Sequence, residues 1–254
     1  MVNGPGWLLN RFPVSPSLTL LVTYTWFTVN LVIHKNRGLN LNPRPNIPKP
    51  LTINRLVEST QILVAIDEDM ARIFNNHGVP PLWAREQGFE TLIRIILEQQ
   101  VSLVSADAMY RRLKDSIGPL TAETIIASGN THLRSLGVTR QKAGYFINVA
   151  EAVQSGELDF DKVASESDES AIATLTSIKG IGPWTAKVYL LMVLRRPDVW
   201  PVGDIALATA FKNLKSWPER PTQPELAEIA KKWSPHRATA ARMLWNYYLN
   251  GMTG

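Results

Sequence analysis

The chain has 254 residues, 45% of them apolar, which is enough for one large domain or two small ones with a buried core. It has no cysteine, which excludes disulfides, thiolate nucleophiles and Cys-ligated zinc or iron–sulfur clusters, and its four scattered histidines (His34, His77, His132, His236) lack zinc-ligand spacing. The formal charge of +5 comes entirely from residues 1–50, which hold five of the 27 basic residues and none of the 22 acids. The remainder is formally neutral, so net charge is no argument for nucleic-acid binding and any such site must be local.

Residues 1–50 read as an N-terminal extension of uncertain structure. They contain a 16-residue apolar run, "LTLLVTYTWFTVNLVI" (Leu18–Ile33). A membrane span needs about 20 such residues, and threonines and an asparagine interrupt this one. No small-residue cleavage site marks a signal peptide. The run's β-branched and aromatic residues would suit a strand or hairpin. Three readings stand open: a poorly ordered or wrongly started segment, an extension packed on the body, and a membrane anchor. "NPRPNIPKP" (Asn42–Pro50) reads as a linker by composition, which leaves residues 51–254 as the main domain.

From Leu51 the apolar spacing is helical, and the pattern predicts an all-α body of about ten helices. Helices are expected in Phe89–Leu113, Arg140–Gly156, Pro183–Leu194 and Arg237–Leu249, with glycines and prolines between them. The acidic run Glu151–Glu169 reads as a solvated face. A further helix ends near Ile178, with Ile172, Leu175 and Ile178 on one side. Next comes "KGIGPW" (Lys179–Trp184). Gly180 and Gly182 permit a tight turn and close backbone approach, and Pro183 suits the first turn of the following helix. Amides at such a helix start favour an anion of phosphate size, with Lys179 and Lys187 near it. A plain helix–helix turn would look the same from these residues alone.

The neighbouring segments narrow the choice. "LTSIKGIGPWTAK" (Leu175–Lys187) resembles the hairpin of the helix-hairpin-helix DNA glycosylase superfamily. "RRPDVWPVGDIAL" (Arg195–Leu207) resembles its Pro-rich loop ending in an aspartate before a helix. "PPLWAREQGFETLIRIILEQQVS" (Pro80–Ser102), "GVTRQKAGYFINVAEAVQSGELDF" (Gly137–Phe160) and "WSPHRATAARMLW" (Trp233–Trp245) are similar to three core segments of the DNA-3-methyladenine glycosylase II branch. The resemblance covers about residues 51–254 in order and leaves out residues 1–50. It implies a two-lobed, all-α helix-hairpin-helix fold that binds double-stranded DNA with damaged bases, as a monomer and with no membrane.

The resemblance also implies site residues. Asp204 would be the catalytic carboxylate; on its own it reads equally as a helix N-cap. Trp184 and Trp245 match aromatic base-pocket positions, with Phe89 and Trp83 as weaker candidates. Gln100, with Gln99 beside it, falls where the family's wedge fills the gap left by a flipped base; on their own the two read as polar residues on a partly exposed helix. Lys179, Gly180, Ile181, Gly182, Thr185 and Lys187 would hold the DNA backbone. Carbonyls of Thr176, Ile178 and Ile181 would hold a structural Na+ or K+, with no other cofactor required. The substrate would be an alkylated purine; deaminated or oxidised bases, or DNA binding without catalysis, are the alternatives. Strand-cutting relatives carry a lysine two residues after the hairpin's second glycine; Trp184 stands there, so base release without strand cutting is expected. The location would be intracellular: cytoplasm or nucleoid in a bacterium, nucleus in a eukaryote.

Overall fold

The computed structural model describes residues 47–251; the apolar run Leu18–Ile33 and most of the expected linker lie outside them. Among the described residues there are twelve α-helices and no strand. They are α1 (Ile53–Ile66), α2 (Glu68–His77), α3 (Phe89–Leu97), α4 (Leu103–Ile117), α5 (Ala122–Ser135), α6 (Arg140–Gln154), α7 (Phe160–Ala164), α8 (Asp168–Ser177), α9 (Pro183–Met192), α10 (Ile205–Leu214), α11 (Gln223–Ala230) and α12 (Arg237–Leu249). The helices fall into two packed groups. The ends of the chain, α1, α2, α10, α11 and α12, form one lobe, and α3 to α9 form the other.

Local chemistry explains most boundaries. Thr52, Asp67, Ser102, Thr121, Thr139, Asp159, Ser167, Asp204 and Thr222 each cap a helix start by accepting backbone N–H bonds on a side-chain oxygen. Three helices start without such a cap, and α9, which follows the glycine turn, is one of them. In α1 the buried positions Leu56, Ser59, Thr60 and Leu63 recur at three and four spacing, which places one face on the core. Residues 238–247 of α12 are buried all round, so this helix runs through the middle of its lobe.

Three sequence expectations need correction. The expected helix Phe89–Leu113 is two helices, α3 and α4, separated at Glu98–Ser102. Gln99 and Gln100 therefore sit in a turn and not on a helix face. The break comes from the Ser102 cap and a left-handed Gln100, which no glycine or proline announces. The acidic run is not only a solvated face: Asp159 caps α7, and Asp168 pairs with the buried Arg196 at 3.2 Å. The end of the expected linker is held as well, since the carbonyl of Pro48 accepts from Arg196 (3.3 Å) and those of Lys49 and Pro50 from Arg55 (2.5 and 3.1 Å).

The lobes are stitched by backbone and by buried polar groups. The Leu51 amide donates to Arg195 O at 2.7 Å, and the Arg85 amide to Met192 O at 3.0 Å. Arg242, fully buried on α12, donates to the carbonyls of Leu82 (2.9 Å), Ala238 (3.0 Å) and Leu191 (2.7 Å). Burial lowers its pKa to about 9, so it stays charged at neutral pH. These bonds fix the end of α9 against α12, and that fixes the geometry of the candidate site.

Candidate active site

Asp204 lies where α9, α10 and α12 meet. Its backbone leaves the loop Arg195–Gly203 with φ −73° and ψ 116°, and its side chain caps α10 through the Leu207 amide at 2.9 Å. The N-cap reading is therefore correct as far as it goes, but the cap uses only part of the carboxylate. Trp184 Nε1, on the first turn of α9, donates to Oδ2 at 3.0 Å. Trp245 Nε1, on α12, donates to Oδ1 at 3.2 Å. Burial pushes the Asp204 carboxyl above its ordinary pKa, and the Leu207 amide and the two indoles pull the other way. The result is a desolvated carboxylate with fixed donors around it.

A cavity of about 210 Å³ opens beside this carboxylate, lined by Asp204, Ile205, Gly203, Trp200, Arg220 and Gln223 among others. Gln223 packs over Gly203, whose φ of +90° favours glycine. Tyr248, one turn beyond Trp245, is half-buried and lies close enough to Asp204 for the carboxylate charge, after burial, to raise its phenol pKa. Sequence reasoning missed Tyr248, Ile205, Arg220 and Gln223. Ile205 and Tyr248 had only their nearness to Asp204 and Trp245 along the chain as a signal, and Arg220, before α11, and Gln223, at its start, had none.

The aromatic candidates separate. Trp184 is half-buried and at the site. Trp245 is fully enclosed, so it contributes an N–H to Asp204 and no open ring face; its place on a helix buried all round is the reason. Phe89 at the start of α3 and Trp83, with φ +45°, are half-buried and pack against the core.

The hairpin forms as expected between α8 and α9. Gly180 has φ +113°, and the Ile181 amide closes the turn onto Ile178 O at 3.0 Å. Lys179 and Gly182 are exposed, so both face outward, while Ile181 is buried beneath them. Pro183 at the first helical position and the uncapped Gly182 leave the amides of the first turn of α9 directed out of the helix. Thr185 is buried, so its side chain does not face outward with the hairpin; it accepts a hydrogen bond from Gln99 Nε2 at 2.7 Å. Lys187 is half-buried, and burial, then the nearby Arg237, lowers its pKa.

Gln99 and Gln100 also separate. Gln99 is tied to the hairpin through Thr185 and, more weakly, through Gly180 O at 3.5 Å. Gln100 is exposed, with a left-handed φ of +55°. Lys142 on α6, inside the "QKA" segment, donates to Leu97 O (2.6 Å) and Gln99 O (2.7 Å) and so supports this turn.

A model of the HhH-GPD superfamily of base excision DNA repair proteins matches residues 93–236. The chain belongs to that superfamily. The matched span includes the Gln99–Gln100 turn, the hairpin and Asp204 of this HhH-GPD chain. A DNA-3-methyladenine glycosylase of Bacillus subtilis is 30% identical over 180 residues, 66% of this chain and 57% of that one. DNA-3-methyladenine glycosylase 1 of Schizosaccharomyces pombe is 28% identical over 200 residues, 76% of this chain and 88% of that one. Two matched Bacillus subtilis proteins are longer: the chain spans 57% and 64% of their lengths. A solved Schizosaccharomyces pombe 3-methyladenine DNA glycosylase in complex with abasic DNA superposes with a TM-score of 0.73 at 28% identity, covering 78% of this chain and 99% of that one. No helix among the described residues is long and apolar enough to cross a membrane.

Proposed function

We propose that the protein is a monofunctional DNA glycosylase of base excision repair, which flips an alkylated purine out of double-stranded DNA and hydrolyses its N-glycosidic bond. The observation that carries this reading is the Asp204 carboxylate, buried between two indole donors beside an outward-facing glycine hairpin. Relatives named DNA-3-methyladenine glycosylases support the class of base.

The hairpin amides and Lys179 hold one phosphate stretch without reading sequence. Gln100 enters the duplex as the base leaves the stack, and its amide can pair with the partner base. The extruded base lies against Trp184 near Tyr248 and Ile205. A 3-methyladenine or 7-methylguanine is cationic, and a Trp face attracts a cation by roughly 0.5–2 kcal/mol. The bond from C1′ to the base nitrogen breaks with its electron pair going to the base, which leaves neutral. The positive charge that develops on the sugar is stabilised by the ionised form of Asp204, which its three N–H donors favour against the cost of burial. Water adds at C1′ and gives its proton to the carboxylate or to solvent.

A monovalent cation at the hairpin is part of this proposal. Its donors would be neutral carbonyl oxygens, which suit Na+ or K+. Thr176 lies in the last turn of α8, where carbonyls lack helical partners, and Ile178 O keeps a second lone pair beside its bond from the Ile181 amide. These residues fit, and a cation held there would add positive charge next to the bound phosphate.

The test is release of free base from duplexes carrying 7-methylguanine, 3-methyladenine, uracil or hypoxanthine. Release from the alkylated duplexes is expected. Release only from uracil or hypoxanthine would reassign the lesion, and no release from any duplex would overturn catalysis.

A further inference from the structure

The wedge turn and the hairpin are both held by one face of α6. Lys142, Tyr145 and Asn148 follow at three-residue spacing and line one side of that helix. Lys142 Nζ donates to Leu97 O and Gln99 O at 2.6 and 2.7 Å. Tyr145 lies against Gly180, and Asn148 Nδ2 donates to Lys179 O at 3.1 Å. Gln99 closes the circuit by donating to Thr185 Oγ1 on α9.

We propose that Lys142 is a positioning residue for lesion recognition: its ammonium holds the turn that aims Gln100 at the duplex and, through α6 and Gln99, links insertion of Gln100 to the grip of the hairpin. The inference rests on the reading of Gln100 as the wedge. The two carbonyls that Lys142 binds lie at the C-terminal end of α3, where the helix leaves them unsatisfied and its dipole favours a cation. Gln100 is in a backbone conformation that a side chain does not hold unaided, and Lys142 grips the residue immediately before it.

The charged group that acts on Lys142 is Glu98, the C-cap residue of α3, whose carboxylate also pairs with Arg85 at 3.0 Å and Arg94 at 3.6 Å. Burial lowers the Lys142 pKa to about 8. Above that pH the neutral amine keeps donors but loses its attraction to the helix end. The folded pKa lies below the ordinary 10.5, so deprotonation makes this group's contribution to folding more favourable as pH rises between about 8 and 10.5. Weaker insertion together with an unweakened fold is a combination that general loosening cannot produce.

Insertion can be read without turnover, from the fluorescence of 2-aminopurine placed opposite an abasic site. Backbone grip is read from binding to undamaged duplex. In Lys142→Met, insertion affinity is expected to fall about tenfold, the loss of a charged hydrogen-bond pair, while undamaged binding changes little. Lys142→Arg should keep insertion and abolish its pH step near 8. In a Gln100→Ala background, Lys142→Met should have no further effect. Wild-type insertion by Lys142→Met, an equal loss in undamaged binding, or full additivity with Gln100→Ala would overturn the proposal. If Lys142→Met does not fold, the Arg variant and the wild-type pH profile decide: insertion flat through pH 8 in wild type, or an unchanged step in Lys142→Arg, refutes it. Failure of the functional reading looks different, since wild type would then release no base while insertion still depended on Lys142.

Discussion

Tyr145 fills the space that a side chain at Gly180 would need. A Cβ built on Gly180 would stand 2.5 Å from both Cβ and Cγ of Tyr145, and the glycine's φ of +113° disfavours any other residue. Gly182 differs: its φ is −84°, and a methyl there meets nothing within 4 Å. The two glycines of the hairpin therefore differ: packing against Tyr145 requires glycine at 180, whereas position 182 faces open space.

Gly180→Ala is expected to destabilise the fold by about 2–4 kcal/mol through overpacking and backbone strain. Gly182→Ala should leave the melting temperature nearly unchanged and weaken binding to all duplexes alike, lesion or no lesion. Thermal melting and fluorescence-anisotropy titrations separate the two. Selective loss of lesion preference in Gly182→Ala would contradict its part in a backbone clamp.

Asp204→Asn should lower single-turnover base release by roughly 10²–10³-fold or more while duplex binding persists, because it removes a preorganised charge and not a DNA contact. Wild-type-like turnover would remove Asp204 from the chemistry.

The Asp204 pKa also sets a pH limb. The carboxylate must be ionised to act, and burial raises its pKa above the ordinary 3.8, so activity should fall on the acid side at a pH above that of a free aspartate. The Trp184 N–H favours the ionised form. Trp184→Phe should therefore move the acid limb to higher pH, besides weakening base binding. A pH profile of single-turnover rate checks the direction, and a limb moved to lower pH would be inconsistent with the bond.

Borohydride added during turnover is expected to trap no protein–DNA adduct. Trp184 stands where strand-cutting relatives carry their lysine, and Lys187 is half-buried and about 300° further around α9. An adduct lost in Lys187→Met would assign Lys187 as a nucleophile.

A chain beginning at Ile47 should be folded and as active as the full chain. It keeps the Pro48 carbonyl for Arg196 and the Leu51 amide for Arg195. Insolubility or lost base release would show that residues 1–46 support the body.

The parts of the site that were legible in sequence are those set by local chemistry. Gly180 and Pro183 mark the hairpin because the turn takes a positive φ at one and the fixed φ of a helix start at the other, and Asp204 is visible as a cap before α10. What was hidden depends on contacts far along the chain. The turn after α3 carries no glycine or proline; it is imposed partly by Lys142, more than 40 positions away. Enclosure of Trp245 could not be read from its own helix, because it results from lobe packing around α12. The pairing of Asp168 with the buried Arg196 was masked by the acids around it.

The left-handed backbone at Gln100 has an evolutionary consequence. A side-chain-bearing residue in that conformation costs about 1 kcal/mol that glycine would not, and asparagine tolerates it better than glutamine. A library selected for heat resistance alone should therefore drift to glycine or asparagine at position 100, while a library selected for survival under methylating agents should resist glycine.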